Sequence, residues 1–222
     1  MRHLFRWSLI AGAAAVAVLA GCSSMMPGKT GMSFFVTSVN PGKGGDLGGL
    51  AGADAHCQKL ATAAGAGNRS WRAYLSTQPS NSGPGVNARD RIGKGPWQNA
   101  KGVVVAADVG QLHGSGSNLN KQTALTETGT VINGRGDTPN LHDAMTGSQP
   151  NGRYIAGDVN TTCANWTMGD QGSAMVGHHD RTGLDDSVPA KSWNSSHLSR
   201  GCSLDQLKTT GGAGLYYCLA AD

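Results

Sequence analysis

His178, His179 and Asp180, with His197 further along, are the residue types from which a zinc site is built, because imidazole nitrogen and carboxylate oxygen both suit that ion. Neighbouring residues on a strand point to opposite faces, so His178 and His179 cannot readily share one ion. The cluster is therefore read as a hydrogen-bonded loop anchor, with Arg181 available to pair with Asp180. Arg135-Gly136-Asp137 spells the integrin-binding tripeptide within N-G-R-G-D-T-P, a frequent coincidence in a Gly-rich loop. The chain contains no H-E-x-x-H, G-x-S-x-G, P-loop or G-x-G-x-x-G, and its carboxylates are too scattered to assign an acid and base pair. The expectation is a non-enzymatic protein with no metal or cofactor; calcium or zinc is the alternative.

These residues sit in the stretch around which the chain is organised, Thr162 to Cys218, which holds Cys163, Cys202 and Cys218 and the tryptophans Trp166 and Trp193. Short apolar runs between Gly, Asp, Asn and Ser clusters predict brief strands and long loops. Strands are expected at Ser33 to Ser38, Trp71 to Ser76, Val103 to Ala106, Tyr154 to Ala156, Cys163 to Thr167, Ala174 to His178 and Leu215 to Ala220. From Leu50 to Ala64, apolar residues recur at three and four positions, which predicts a helix with one buried stripe carrying Cys57. No element is placed between Asp108 and Asn151. The fold class is α+β, in one domain of about 190 residues, large enough for its own core.

The first 21 residues combine a basic start (Arg2, Arg6) with an apolar run from Trp7 to Leu19, the pattern of a secretory signal. Its L-A-G-C ending resembles the lipobox of bacterial lipoproteins, which implies that Cys22 is acylated and becomes the mature N-terminus. Residues 22–32 then form a Gly/Pro/Ser tether, and 33–222 the domain. Ser23, in the place where aspartate usually marks inner-membrane retention, favours an outer-membrane address. Loss of Arg2 and Arg6 leaves 16 of the 18 basic residues against 14 acidic ones, a formal charge of +2 with no basic block, which argues against a nucleic-acid partner. Setting Cys22 aside for lipid leaves Cys57, Cys163, Cys202 and Cys218. An even number in an exported chain predicts two disulfides, with all three pairings open.

The ordered set F-F-V-T-S, G-D-L-G-G-L-A-G-A-D-A-H-C-Q, W-R-A-Y-L-S, G-P-W, T-C-A-N-W-T, S-W-N, G-C and L-Y-Y-C resembles the bacterial relatives of endostatin and the C-type lectin-like fold. That resemblance implies small antiparallel sheets, one or two helices, long loops and two nested disulfides, Cys57 with Cys218 and Cys163 with Cys202. Calcium-dependent lectins of this fold use an E-P-N or Q-P-D triplet and a later W-N-D. Here Gln149-Pro150-Asn151 and Trp193-Asn194-Ser195 keep the order but lack the carboxylates that calcium prefers. The function implied is a lipid-anchored envelope module that binds a glycan, a matrix component or an envelope protein. The alternatives are a structural envelope lipoprotein, or a hydrolase with an unrecognised site. In the resembling fold Gly177 to Gly201 forms ligand-facing loops. The candidate contacts are Arg181, Asn194 and His197, with His179 and Asp180 in support and Trp193 either exposed or packed beside Cys202.

Overall fold

The computed structural model describes residues 31–81 and 83–222, together with Met1. The signal segment beyond Met1, Cys22 and all of the tether except Gly31 and Met32 lie outside the described residues. No helix among the described residues is long and apolar enough to cross a membrane.

In chain order the first half contributes β1 (Phe34–Val36), α1 (Gly49–Ala63), β2 (Trp71–Ala73), a 3-10 turn at Ala88–Asp90, the hairpin β3 (Trp97–Gln98) and β4 (Val104–Ala106), and α2 (Val109–His113). The second half contributes β5 (Asp143–Met145), α3 (Cys163–Trp166), β6 (Met175–His178), β7 (His197–Leu198), α4 (Leu204–Lys208) and β8 (Gly212–Ala220). The architecture is α+β with small sheets, few helices and two disulfides, Cys57–Cys218 and Cys163–Cys202.

The nine-residue β8 is the spine of the larger sheet, which runs β1-β8-β5-β6-β7, with β2 also paired to β8. Its near-continuous L-Y-Y-C-L-A run follows from burial on both faces, as in a strand covered on both sides. Leu215, Tyr217 and Leu219 enter one core with Phe34, Val36 and Trp97, while Tyr216 and Cys218 enter the other beneath α1 with Phe35, Trp71 and Val176. The sheet is not wholly antiparallel as expected, because β5 runs parallel to β8.

Helix α1 buries Ala53, Asp54, Cys57 and Ala61. The alanines let it approach the sheet closely enough for Cys57 to reach Cys218, with Cα atoms 5.6 Å apart. Asp54 on the same stripe accepts from Arg91 Nη2 at 2.9 and 2.7 Å, from Arg72 Nη1 at 2.7 Å and from the Ala73 N–H at 2.9 Å, so it ties the helix to β2 and to the end of the 3-10 turn. By loop-closure entropy the outer disulfide, spanning 161 residues, is worth about 5 kcal/mol and the inner one, spanning 39, about 4 kcal/mol.

Three expectations are corrected. Cys163 to Thr167 is no strand: Cys163, Ala164, Asn165 and Trp166 all have positive φ, from 47° to 68°, and form one left-handed turn. Such a turn is unfavourable by about 1–2 kcal/mol per residue, and its surroundings hold it. Asn160 Oδ1 accepts from Ala164 N, Thr162 Oγ1 accepts from Asn165 N, the Asn165 amide pairs with the Gln78 backbone, and Trp166 Nε1 donates to Ser76 O at 2.8 Å. Tyr154 to Ala156 forms only an isolated bridge from Tyr154 to Ser148. The unassigned stretch 108–151 holds α2, whose start is capped by Asp108 accepting from Gln111 N, and β5.

Candidate functional site

The site is assembled at one end of the larger sheet, across three neighbouring strands. Asp143 opens β5 and lies opposite His178, the last residue of β6, while His197 opens β7 opposite Val176. Because positions two apart on a strand share a face, this register puts Asp143, His178 and His197 on one side. That is the side on which Met145 and Val176 enter the core beneath α1. His142 joins from the position before β5, its ring stacked on His178 with centroids 4.1 Å apart.

Around Asp143 Oδ1 lie His142 Nε2 at 3.2 Å, His178 Nε2 at 3.5 Å and His197 Nε2 at 3.5 Å, with His178 Nε2 and His197 Nε2 3.1 Å from each other. The other ring nitrogens face backbone carbonyls: His142 Nδ1 is 3.2 Å from Thr182 O, His178 Nδ1 2.7 Å from Ala190 O and His197 Nδ1 3.1 Å from Leu198 O. His142 Nδ1 also lies 3.5 Å from Asp180 Oδ1. The Asp143 side chain is 3% exposed, and neither of its oxygens has a hydrogen-bond partner.

Burial pushes the His178 imidazole below its usual range, whereas the Asp143 carboxylate beside His197 holds that ring above it. Burial pushes the Asp180 carboxyl up, but hydrogen bonds from His142 and from the Arg135 and Thr182 N–H groups outweigh it and hold the group at about 2.

A cleft of about 440 Å³ is lined by His142, His178 and His197 of this cluster together with Arg135, Arg200 and Thr210. The loop 181–192 forms one wall, with exposed Leu184 on the cleft side. The same loop also lines a smaller groove of about 300 Å³ that includes Arg181, Val188, Trp193 and Asn194.

The ligand candidates read from sequence are therefore split. His197 lines the cleft, Arg181 lines the groove, and His179 and Asp180 are buried. His179 lies in the turn after β6, buried, with its Nε2 3.2 Å from Asn133 O. Arg181 does not pair with Asp180: its Nε donates to Lys191 O at 3.2 Å, and Asp180 accepts from Arg135 N and Thr182 N. Trp193 is 4% exposed, against Tyr74 and Tyr217 rather than beside Cys202. Asn194 is buried and donates to Tyr74 Oη, Gln149 O and Pro150 O, which brings the Q-P-N and W-N segments together through amide and carbonyl bonds. In the R-G-D segment, Asp137 is paired with Lys121 and accepts from Gly134 N.

The sequence reading passes over His142 and Asp143. The available signal is the recurrence of His-Asp at 142–143 and 179–180, each flanking a strand end. The chain matches no protein-family model and no curated protein.

Proposed function

We propose that this chain is a lipid-anchored, non-enzymatic binding module of the bacterial envelope with C-type lectin-like architecture, and that it takes a glycan bearing acidic groups into the cleft over His197. The observation that carries this reading is the lining: Arg135 and Arg200, with Ser187, Ser196 and Thr210 and one carboxylate, Asp185, line a cleft of about 440 Å³. Guanidinium forks suit carboxylate and sulfate groups, hydroxyls suit sugar oxygens, and the volume falls in the range of ligand sites. The L-A-G-C ending supports the anchor, Ser23 after it the outer-membrane address, and the nested disulfides agree with the architecture that the sequence resembles.

The test is a glycan array probed with full chain carrying Cys22→Ser, beside the same chain with Arg135→Ala and Arg200→Ala. Binding confined to acidic glycans and lost in the double variant supports the reading. An empty array together with specific capture of an envelope protein would replace the glycan with a protein ligand. Chain shortening of a bound glycan would favour the hydrolase alternative.

A further inference from the structure

The surroundings of Asp143 contain acceptors where a buried carboxylate needs donors. An ionised carboxylate taken out of water is costly unless paired or hydrogen-bonded, yet Asp143 at 3% exposure has no hydrogen bond to either oxygen. Its neighbours are three imidazole nitrogens. A carbonyl only accepts, so the contacts of His142, His178 and His197 with Thr182 O, Ala190 O and Leu198 O assign the ring proton to Nδ1 in each case. In the neutral rings all three Nε2 atoms are then lone pairs. Two of them, on His178 and His197, face each other at 3.1 Å, and all three surround Asp143 Oδ1. One extra proton on His197 would satisfy a single contact and leave the remaining acceptors opposed.

We propose that His142, His178 and His197, through Nε2, and Asp143, through Oδ1, bind one divalent transition-metal ion, zinc by preference. Tetrahedral zinc with ligand bonds of about 2.0–2.1 Å has ligand-to-ligand edges of roughly 3.3–3.4 Å. Four of the six separations among these atoms run from 3.1 to 3.5 Å, and His142, Asp143 and His178 offer ligand atoms that all lie within 4.8 Å of one another, with His197 joining through its contacts to Asp143 and His178. The outer contacts are those of an oriented metal site: each imidazole is fixed through Nδ1 by a carbonyl, and His142 Nδ1 also faces the Asp180 carboxylate, the carboxylate–histidine arrangement that sets tautomer and ring orientation. Three nitrogen donors disfavour calcium, which takes six to eight oxygens. With these protein ligands the ion would tie β5, β6 and β7 together beside the cleft that His142, His178 and His197 line. The proposal does not depend on what the cleft binds.

Tag-free full chain in detergent, stripped with a chelator and dialysed, is titrated with zinc by calorimetry and with cobalt by visible absorption, beside His197→Gln and Asp143→Asn. The expected result is one zinc per chain, a cobalt spectrum with the visible bands of a four-coordinate site, and affinity weakened more than about 100-fold in each variant, since even outer partners of a metal ligand are worth 10- to 100-fold. Circular dichroism reports folding. His197 is half-exposed, so its variant keeps the test open should Asp143→Asn misfold. Absence of zinc uptake by the stripped wild type would overturn the proposal, as would undiminished zinc binding by a folded variant, or displacement of zinc by equimolar calcium.

Discussion

Asp54 and Asp143 are both carboxylates buried within one domain, and their surroundings are opposite. Asp54 accepts four hydrogen bonds, two from Arg91, one from Arg72 and one from the Ala73 amide, and so resolves its charge within the chain. Asp143 faces three imidazole nitrogens and accepts none. A residue selected for folding alone would be satisfied as Asp54 is. Asp143 lacks such bonds, and on the proposal above it is an ion arriving from outside that would satisfy it.

The largest effect that separates the two should come from removing partners. Arg91→Ala removes two of the four hydrogen bonds to Asp54, leaving Arg72 and the Ala73 N–H, and should destabilise the fold by about 3 kcal/mol in urea denaturation, since hydrogen bonds to charged groups are worth about 1.5–3 kcal/mol. In metal-free protein Asp143→Asn should change stability by less than about 1 kcal/mol, because no hydrogen bond to either carboxylate oxygen is lost. Equal losses in the two variants would erase the distinction.

Adding metal should sharpen it. Zinc at a hundredfold excess over its Kd should raise the stability of stripped wild type by about 2.7 kcal/mol, leave Asp143→Asn where it was, and raise Arg91→Ala by the same amount as wild type. Chemical denaturation with and without zinc gives all three values. A zinc gain in Asp143→Asn equal to that of wild type would move the ion elsewhere.

How much of this was legible follows from how local each element is. Helix α1 shows in the three- and four-residue spacing of Ala53, Cys57 and Ala61, and β8 in an apolar run long enough to need cover on both faces. The left-handed turn at Cys163–Trp166 was not legible, because T-C-A-N-W-T reads as a short, largely apolar run while the backbone is dictated by partners remote in sequence, Ser76 and Gln78. Strand β5 is three residues long and takes its place from pairing with β6 and β8, so no pattern of its own marks it. The site divides the same way. Alternation separates His178 from His179 on sequence alone, but His142 and Asp143 enter only through β5. Trp193 and Asn194 look like ligand contacts on a polar loop, yet the fold uses them as packing and as a bracket for the Gln149-Pro150 turn.

That bracket gives a smaller, independent effect. Asn194→Ala would leave the Gln149 and Pro150 carbonyls and the Tyr74 hydroxyl short of a donor, a loss of about 1–3 kcal/mol. Zinc affinity should stay within about twofold, because no ligand of the proposed ion touches that side chain and distant sites act independently. A zinc affinity falling together with stability would show that the groove and the cleft are one energetic unit.

The smallest effect concerns pH and begins at the other end of the same chain of bonds. His113 Nδ1 lies 2.8 Å from Val109 O and must donate to it, so Nε2, 2.6 Å from Tyr74 Oη, accepts the Tyr74 proton, while Tyr74 Oη accepts from Asn194. Protonating His113 would reverse the Tyr74 bond and place a second donor on a hydroxyl that Asn194 already serves. Burial pushes the His113 pKa below its usual range, and the nearby Arg89 cation adds to the shift, against a smaller opposing contribution from Val109 O. A histidine depressed in the folded state contributes its full stability above the unfolded value of about 6.5 and loses it as pH falls below that, because the unfolded chain takes up the proton first. His113→Gln should remove this dependence. The stability advantage of wild type over His113→Gln should therefore shrink between pH 7.5 and pH 5.5 by under about 1 kcal/mol, since the ring is only partly buried and its charge is screened. Subtracting the variant cancels the acid response of His178 and His179, which burial also depresses. An advantage that grows on acidification would mean that His113 is charged in the fold and that the Asn194–Tyr74–His113 chain runs in the opposite direction.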